Sequence, residues 1–295
     1  MSETASLTWL SAGIAARLIS QQFPELAAKK VLPMPEAGTD NFIFRIGDDL
    51  CARFPKAAWA AGTARREAAV LPRFSEAPLA VPEVYGLGGP GPGYPNYWSV
   101  LTWLPGTPLE DGAGEDPAVA ARQLADFFGY VREVPIDLRF SSGPDNNGRG
   151  APLATRTAAF EAALSKLPDV NQDWAKRLWT QSLGAADQTE ASCWLHGDVH
   201  PGNVLVQNGS LSGVIDWGLC GVGDGACDLL TAWAMFDRAP REVFRSALGA
   251  SDAQWLRGAG WALSMAVIYL PYAYENELRS DMSERMIDRL MEEFA

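Results

Sequence analysis

Apolar and polar residues alternate along Phe42-Ile43-Phe44-Arg45-Ile46 and again along Leu50-Cys51-Ala52-Arg53-Phe54, with Gly47-Asp48-Asp49 between them. A period near two, broken by glycine and aspartate, predicts a hairpin of adjacent antiparallel strands. Alternation sets Arg53 on the face opposite Ala52 and Phe54. A helical stretch follows from about Trp59 to Leu71 and carries Glu67. Tyr97-Trp98-Ser99-Val100-Leu101 is strand-like, and Thr102-Trp103-Leu104-Pro105-Gly106 ends it with a turn signal. The glycine- and proline-rich stretch from Gly86 to Pro95 reads as a surface loop.

Farther along, the period lengthens. In Pro117 to Val134 the apolar residues Val119, Leu124, Phe127, Phe128 and Val131 recur near helical spacing, with polar positions between them. Leu153 to Leu167, Trp174 to Leu183, Ala226 to Phe236, Arg241 to Leu248, Asp252 to Tyr274 and Ser283 to Phe294 are further predicted helices. Ser141 to Gly150 reads as a polar, mobile loop. At 295 residues the chain is long for one core. A chain of this length is typical of two lobes.

One hairpin carries the chemistry. Val204-Leu205-Val206-Gln207 and Leu211-Ser212-Gly213-Val214-Ile215 read as short strands, and Asn208-Gly209 between them signals a tight turn needing positive φ. If Gln207 and Ser210 flank a two-residue turn, Asn203 lies opposite Val214 and Asp216 opposite Pro201. Both residues then stand at the open end of the hairpin, next to Asp198. The motif upstream reads His196-Gly197-Asp198-Val199-His200-Pro201-Gly202-Asn203, and the one downstream Ile215-Asp216-Trp217-Gly218. An aspartate five residues before an asparagine, with a second aspartate 18 residues after the first, has the order and spacing of a kinase catalytic loop and metal motif. Phosphoryl transfer needs a carboxylate near the acceptor hydroxyl and hard oxygen ligands for magnesium. Asp198 is therefore the candidate base, and Asn203 and Asp216 the candidate Mg2+ ligands.

On these motifs the chain resembles the aminoglycoside phosphotransferase family of small-molecule kinases, relatives of the protein kinases, over nearly its whole length. The resemblance implies an α+β, protein-kinase-like fold of two lobes: a small N-terminal antiparallel sheet lobe that binds nucleotide, residues 1–103 with the hinge at its end, and a larger, mainly helical C-terminal catalytic and substrate-binding lobe, residues 104–295. It implies ATP or GTP as phosphate donor. Arg53 and Glu67 stand where kinases place a phosphate-binding lysine and its partner glutamate. Gly38, within Glu36-Ala37-Gly38-Thr39-Asp40-Asn41, stands for a reduced glycine-rich loop, and the backbone of Thr102 and Leu104 would meet the nucleotide base. His196 and Asp228 take supporting roles, Asp228 by bracing the catalytic loop. Gly197 replaces the arginine of many protein kinases, and no long segment separates Asp216 from Asp228, so control by activation-loop phosphorylation is not expected. Gly225 replaces a proline usual in the family, and Asp224 is left without a role.

Charge narrows the partners. With 24 Lys and Arg against 36 Asp and Glu, the net charge is −12, and no basic run exists. That argues against nucleic acid and anionic membranes and suits a cationic small-molecule acceptor. Cysteines 51, 193, 220 and 227 form no CxxC pair and read as reduced, mostly buried thiols. The first residues lack the basic and apolar sections of a signal peptide, and the longest uncharged stretch, Gly258 to Tyr274, holds Trp and Tyr and is interrupted by Pro271. A buried helix and a cytoplasmic protein are expected.

The acceptor is where the pattern gives least. The C-terminal segment offers Glu275, Glu277 and Asp281 with Trp233, Tyr269, Tyr272 and Tyr274. Carboxylates would bind the ammonium groups of an aminoglycoside, and aromatics would suit a macrolide ring or cover a cation. A kinase of a cellular metabolite such as an amino alcohol or sugar is the nearest alternative. Two other classes are a non-catalytic nucleotide-binding regulator and a zinc hydrolase built on His196 and His200. Against the last, Gly197 stands where HExxH needs glutamate and no third histidine exists.

Overall fold

The computed structural model describes residues 10–34, 40–57, 60–109, 116–185 and 191–295. Among them, five strands form an antiparallel sheet in the order β1-β2-β3-β5-β4: β1 (Val31–Met34), β2 (Asn41–Ile46), β3 (Leu50–Pro55), β4 (Val84–Gly88) and β5 (Trp98–Thr102). The expected hairpin is β2–β3, with Phe44 opposite Ala52 and Ile43 opposite Arg53.

Strand β3 is buried along its whole length, and its alternation divides three environments. Leu50, Ala52 and Phe54 enter a small core with Phe44, Trp98 and helix α1 (Ala12–Gln22), while Cys51 faces the larger core. Arg53, between them, is turned into the cleft. Helix α1 is an element that strand periodicity did not announce. Its N-cap is Ser11, whose hydroxyl accepts from the Ile14 amide at 3.1 Å, and it buries Ala15, Leu18 and Ile19.

The loop expected from Gly86 onward begins instead as the end of β4. Within the strand its glycines serve close approach: a Cβ on Gly88 would lie 2.1 Å from the Trp98 ring, while Gly93, at φ +89°, makes the turn expected of the stretch. Trp98 in turn stacks on Phe54 at 4.5 Å. Helix α2 (Ala61–Val70) follows β3 and carries Arg66 and Glu67.

Beyond β5 the chain is mainly helical: α3 (Pro117–Glu133), α4 (Thr157–Leu164), α5 (Gln172–Gly184), α6 (Thr231–Met235), α7 (Arg238–Leu248), α8 (Asp252–Glu275) and α9 (Asp281–Phe294). Asp116 caps α3 ahead of Pro117 at its first position. Ser251 and Gln254 form a capping box on α8. The uncharged stretch of α8 is buried within the protein, with Trp255, Trp261 and Leu263 in the large core. Each such ring stabilises the fold by roughly 2–3 kcal/mol through area removed from water. Among the described residues no helix is long and apolar enough to cross a membrane.

Two small sheets carry the motif region. Strands β6 (Thr107–Pro108), β8 (Val204–Gln207) and β9 (Ser210–Val214) form one, and β7 (Cys193–Leu195) pairs with β10 (Gly221–Gly223) in the other. The β8–β9 turn is Asn208-Gly209, both at positive φ. Its register departs from the unbroken one by a residue. Gln207 pairs Ser210 and Val206 pairs Leu211, but then Leu205 pairs Gly213 and Val204, not Asn203, pairs Val214. The shift is a β-bulge at Ser212, whose carbonyl accepts from the Ala80 amide at 3.1 Å while Val214 donates to the Ala80 carbonyl at 2.9 Å. A neighbouring segment with no strand pattern of its own sets the register here.

The segment expected to be a mobile loop, Ser141 to Gly150, is docked. Ser142 donates from its backbone amide and its hydroxyl to the Val222 carbonyl, Asn146 is fully buried, and the Asp224 amide donates to the Gly150 carbonyl at 2.8 Å.

Candidate active site

The catalytic-loop motif leaves β7 and enters β8, so both of its ends are fixed by sheet pairing. Asp228 lies beneath it. Its two carboxylate oxygens accept from the His196 amide at 2.8 Å and the Gly197 amide at 2.7 Å. Burial raises this carboxyl to about 6, against the lowering effect of those two amides.

His196 is fully buried and pinned at both nitrogens. The Asp198 amide donates to Nδ1 at 3.2 Å, so the proton sits on Nε2, which donates to the Ile215 carbonyl at 3.1 Å. Burial pulls the imidazole down to about 4 and keeps it neutral. The ring therefore ties the catalytic loop to the strand that leads into Asp216. With both nitrogens engaged, it has no lone pair for zinc, and the hydrolase reading falls on that ground.

Asn203 completes the join. Its backbone carbonyl accepts from the Ile215 amide at 2.9 Å, and its side-chain nitrogen donates to the Asp198 carbonyl at 2.9 Å. The amide nitrogen being used, the oxygen is the atom left for a cation. Asp216 follows Ile215 directly and lies in the left-handed region, at φ +66°. A non-glycine residue there is strained, which is a feature concentrated at functional sites. Asp198, Asn203 and Asp216 thus meet at the open end of the hairpin, as the sequence expected, although through a shifted register.

Arg53 crosses from the N-terminal sheet to this point. One branch of its guanidinium donates to Glu67 at 2.6 Å and the other to Asp216 at 2.7 Å. Glu67 also accepts from the Trp217 amide at 3.2 Å. Burial raises the Glu67 carboxyl, with Arg53 pulling the other way. For Asp216 burial acts upward as well, but Arg53 outweighs it and holds the carboxyl below its ordinary value. Next along α2, Arg66 donates to the Cys220 carbonyl at 2.6 Å and the Phe140 carbonyl at 2.9 Å. Helix α2 is therefore bound to the segment after Asp216 by two adjacent side chains, Arg66 and Glu67.

Two residues of the cleft were not singled out from sequence. Asp40 precedes β2, and its carboxyl is raised by desolvation and further by Asp216 and Asp198. Arg149, from the docked segment, reaches Asp198 with Nη2 at 3.3 Å. The available signal was a charged residue set between Gly148 and Gly150, both at positive φ. Gly197 makes its approach possible: at φ +85°, a Cβ there would lie 2.9 Å from the Leu219 carbonyl and 3.0 Å from Arg149 Cβ.

The donor set suits magnesium. Among the described residues no group of three or more His, Cys, Asp or Glu can hold a metal unaided. Asn203 and Asp216 supply one amide and one carboxylate, and magnesium commonly takes its remaining ligands from water and nucleotide phosphates. The three carboxylates Asp40, Asp198 and Asp216 make the cleft locally favourable to a divalent cation.

The remaining sequence expectations divide. Gly38 lies outside the described residues. The Thr102 amide donates to the Glu83 carbonyl and the Trp103 amide to the Asp49 carbonyl, at 2.9 and 2.7 Å, so the Thr102 N–H is engaged within the protein, and the Leu104 backbone follows beyond the end of β5. Trp233 is no acceptor residue: it is fully buried in α6, tilted against Trp255 at 4.6 Å, and its ring nitrogen donates to Glu293. Its apolar face filled a core position, which residue type alone did not distinguish from a ligand platform. Tyr272 is exposed near the end of α8, and Glu275 is exposed and paired with Lys166 at 3.3 Å. Asp224 caps the turn after β10 and is clamped by Arg257 of α8 at 2.8 Å, a structural role.

Residues 33–262 match the family model described as phosphotransferase enzyme family. The chain belongs to that family. Among curated relatives of this phosphotransferase family, viomycin phosphotransferase from Streptomyces vinaceus is 31% identical over 162 residues, covering 50% of this chain and 53% of the relative. The chain thus spans about half the length of the curated relative it matches. Among solved structures, the fold is shared with the GDP complex of wild-type aminoglycoside 2'-phosphotransferase-IIIa at TM-score 0.72 and 20% identity, covering 96% of this chain and 98% of that one. It is shared too with macrolide 2'-phosphotransferase type I, at TM-score 0.62 and 19% identity, covering 96% and 99%.

Proposed function

We propose that this phosphotransferase moves the γ-phosphoryl group of a magnesium-bound nucleoside triphosphate, ATP or GTP, to a hydroxyl of a small molecule, an aminoglycoside-type antibiotic in the first instance. The observation that carries the reading is the meeting of Asp198, Asn203 and Asp216 at one end of one hairpin, tied by the Asn203–Asp198 and Ile215–Asn203 hydrogen bonds. A magnesium ion held by Asn203 and Asp216 would neutralise the phosphate oxygens.

The chain's own groups divide the rest of the work. Arg53, fixed by Glu67, would bind the α- and β-phosphates with its planar fork. Asp198 accepts the proton of the acceptor hydroxyl as its oxygen bonds to the γ-phosphorus and the bond to the β-bridging oxygen breaks; the nucleoside diphosphate leaves with that electron pair. The acceptor becomes a phosphate ester. Asp228 and His196 keep the loop in place throughout. Similarity to proteins named for viomycin, aminoglycosides and macrolides supports an antibiotic acceptor and a role in resistance.

A phosphate-transfer screen with ATP and GTP across aminoglycosides, viomycin, macrolides and amino alcohols tests the acceptor and donor together. Asp198→Ala is expected to lower transfer by about 10²–10⁴-fold while sparing nucleotide affinity. Turnover equal to wild type in that variant would remove Asp198 from the mechanism.

A further inference from the structure

Arg53 approaches Asp216 from the N-terminal sheet; from the helical side Arg149 approaches Asp198, and a second guanidinium, that of Arg156, meets Arg149 at a shared partner, Met265. Arg149, 5% exposed, donates to Asp198 Oδ1 at 3.3 Å and from Nη1 to Met265 Sδ at 2.8 Å, and its Nε is buried without a partner. Arg156, partly buried, sends Nη2 to the same sulfur at 3.4 Å and Nε to the Ser264 hydroxyl at 2.8 Å, and lies over the Trp261 ring at 5.0 Å. All three of its contacts come from one face of α8.

Charge is unbalanced here. A thioether is a weak acceptor and neutralises nothing. Among the described residues no carboxylate pairs with Arg156, and Arg149 has one oxygen of Asp198 at a long distance. Two like charges brought together away from bulk water are held against their repulsion by packing. Burial, and after it the Arg149 charge, pulls the Arg156 guanidinium down to about 10. An anion entering between the two forks would relieve the repulsion and satisfy the free donors, since planar guanidinium groups match phosphate and carboxylate oxygens in pairs.

We infer that Arg149 and Arg156 form an oxyanion subsite beside Asp198, on the acceptor side of the cleft. The anion is either the phosphoryl group as it reaches the acceptor hydroxyl or an acid group that the acceptor itself carries. Which of the two arrives rests on the kinase reading; the existence of the subsite does not.

Calorimetric titration of the nucleotide-free full chain with inorganic phosphate, at constant ionic strength, reads the subsite directly. Wild type takes up phosphate, and Arg156→Gln weakens that affinity by about tenfold or more. Arg156→Lys keeps the charge and stem but loses the fork; it weakens affinity by a smaller factor and carries the test should the glutamine variant not fold. Magnesium–nucleoside diphosphate affinity stays within about twofold in both variants, since that ligand lacks the group the subsite receives. Repeating the titration with a saturating non-hydrolysable triphosphate analogue separates the sources: lost phosphate uptake assigns the subsite to the transferring phosphoryl group, retained uptake to an acid group of the acceptor. Equal phosphate affinity in wild type and both variants, or no uptake by wild type, overturns the inference. Phosphate uptake that depends on Arg156 in a chain that binds no magnesium–nucleotide would leave the subsite standing and sink the kinase reading.

Discussion

On the N-terminal-sheet side of the cleft, Arg53 has a carboxylate on each branch of its fork, at 2.6 and 2.7 Å. On the helical side, Arg149 and Arg156 together have one carboxylate oxygen at 3.3 Å and a shared sulfur. The first network sets two carboxylates against its one cation before any ligand arrives; the second sets two cations against one carboxylate. In the proposed reaction the first would grip the nucleotide with a fork already aimed by Glu67, and the second would hold donors in reserve for an incoming anion, as electrostatic pre-organisation favours.

The widest separation of the two networks comes from Asp216→Ala. It removes a metal ligand and one partner of Arg53 together, so transfer is expected to fall by about 10³-fold or more, with the magnesium titration shifted to higher concentration. A magnesium dependence identical to wild type would exclude Asp216 as a ligand. Next in size is Glu67→Gln, which leaves the buried Arg53 with one anionic partner. Breaking a buried pair this way costs about 3 kcal/mol, measured as a lower urea midpoint. The helical-side counterpart, Gly197→Ala, is expected to destabilise by about 1–3 kcal/mol, because the Cβ meets a backbone carbonyl at a positive φ and crowds Arg149. Its activity loss should exceed that of a Gly→Ala change at half-buried Gly129 of α3, where an added Cβ meets nothing within 4 Å.

The smallest effect concerns the support under both networks. Asp228 is raised in the folded chain to about 6 from 3.8, so the folded state binds its proton more readily than the unfolded state does. Its contribution therefore falls as pH rises from about 4 to 6. His196 is lowered to about 4 from 6.5; the unfolded chain takes up its proton first, and stability from this group rises over the same window. The two slopes oppose each other in wild type. Asp228→Asn should unmask a steeper rise of stability with pH between about 4 and 6, of order 1–2 kcal/mol across the window. A denaturation series in that range checks the sign.

Legibility followed the length scale of the interactions. The β2–β3 hairpin, the helices from α3 to α9 and the Asn208-Gly209 turn rest on period and turn chemistry, which neighbouring residues carry between them. Asp198, Asn203 and Asp216 were found because all three lie within one hairpin and its flanks. Helix α1 and the docked segment from Ser141 to Gly150 were missed or misread, because their partners are distant: Trp98 and Phe54 for the first, Val222 and Asp224 for the second. Polar composition reads as a loop whether or not the loop has a dock. Trp233 shows the converse, an aromatic whose residue type fits a ligand platform and whose place is the core.

Residue order alone decided that Asp198, Asn203 and Asp216 would gather at the end of a β-hairpin, since a two-residue turn can bring its flanks together without help from the rest of the chain. It could not decide the hairpin's register, which the backbone of Ala80 shifts by a residue, nor the cations that surround the base. Arg149 comes from 49 positions before Asp198, and Met265, which holds it and Arg156, from more than 100 positions beyond either. Pairings across such separations leave no periodic mark in a sequence; they exist only once packing has closed the loops between them.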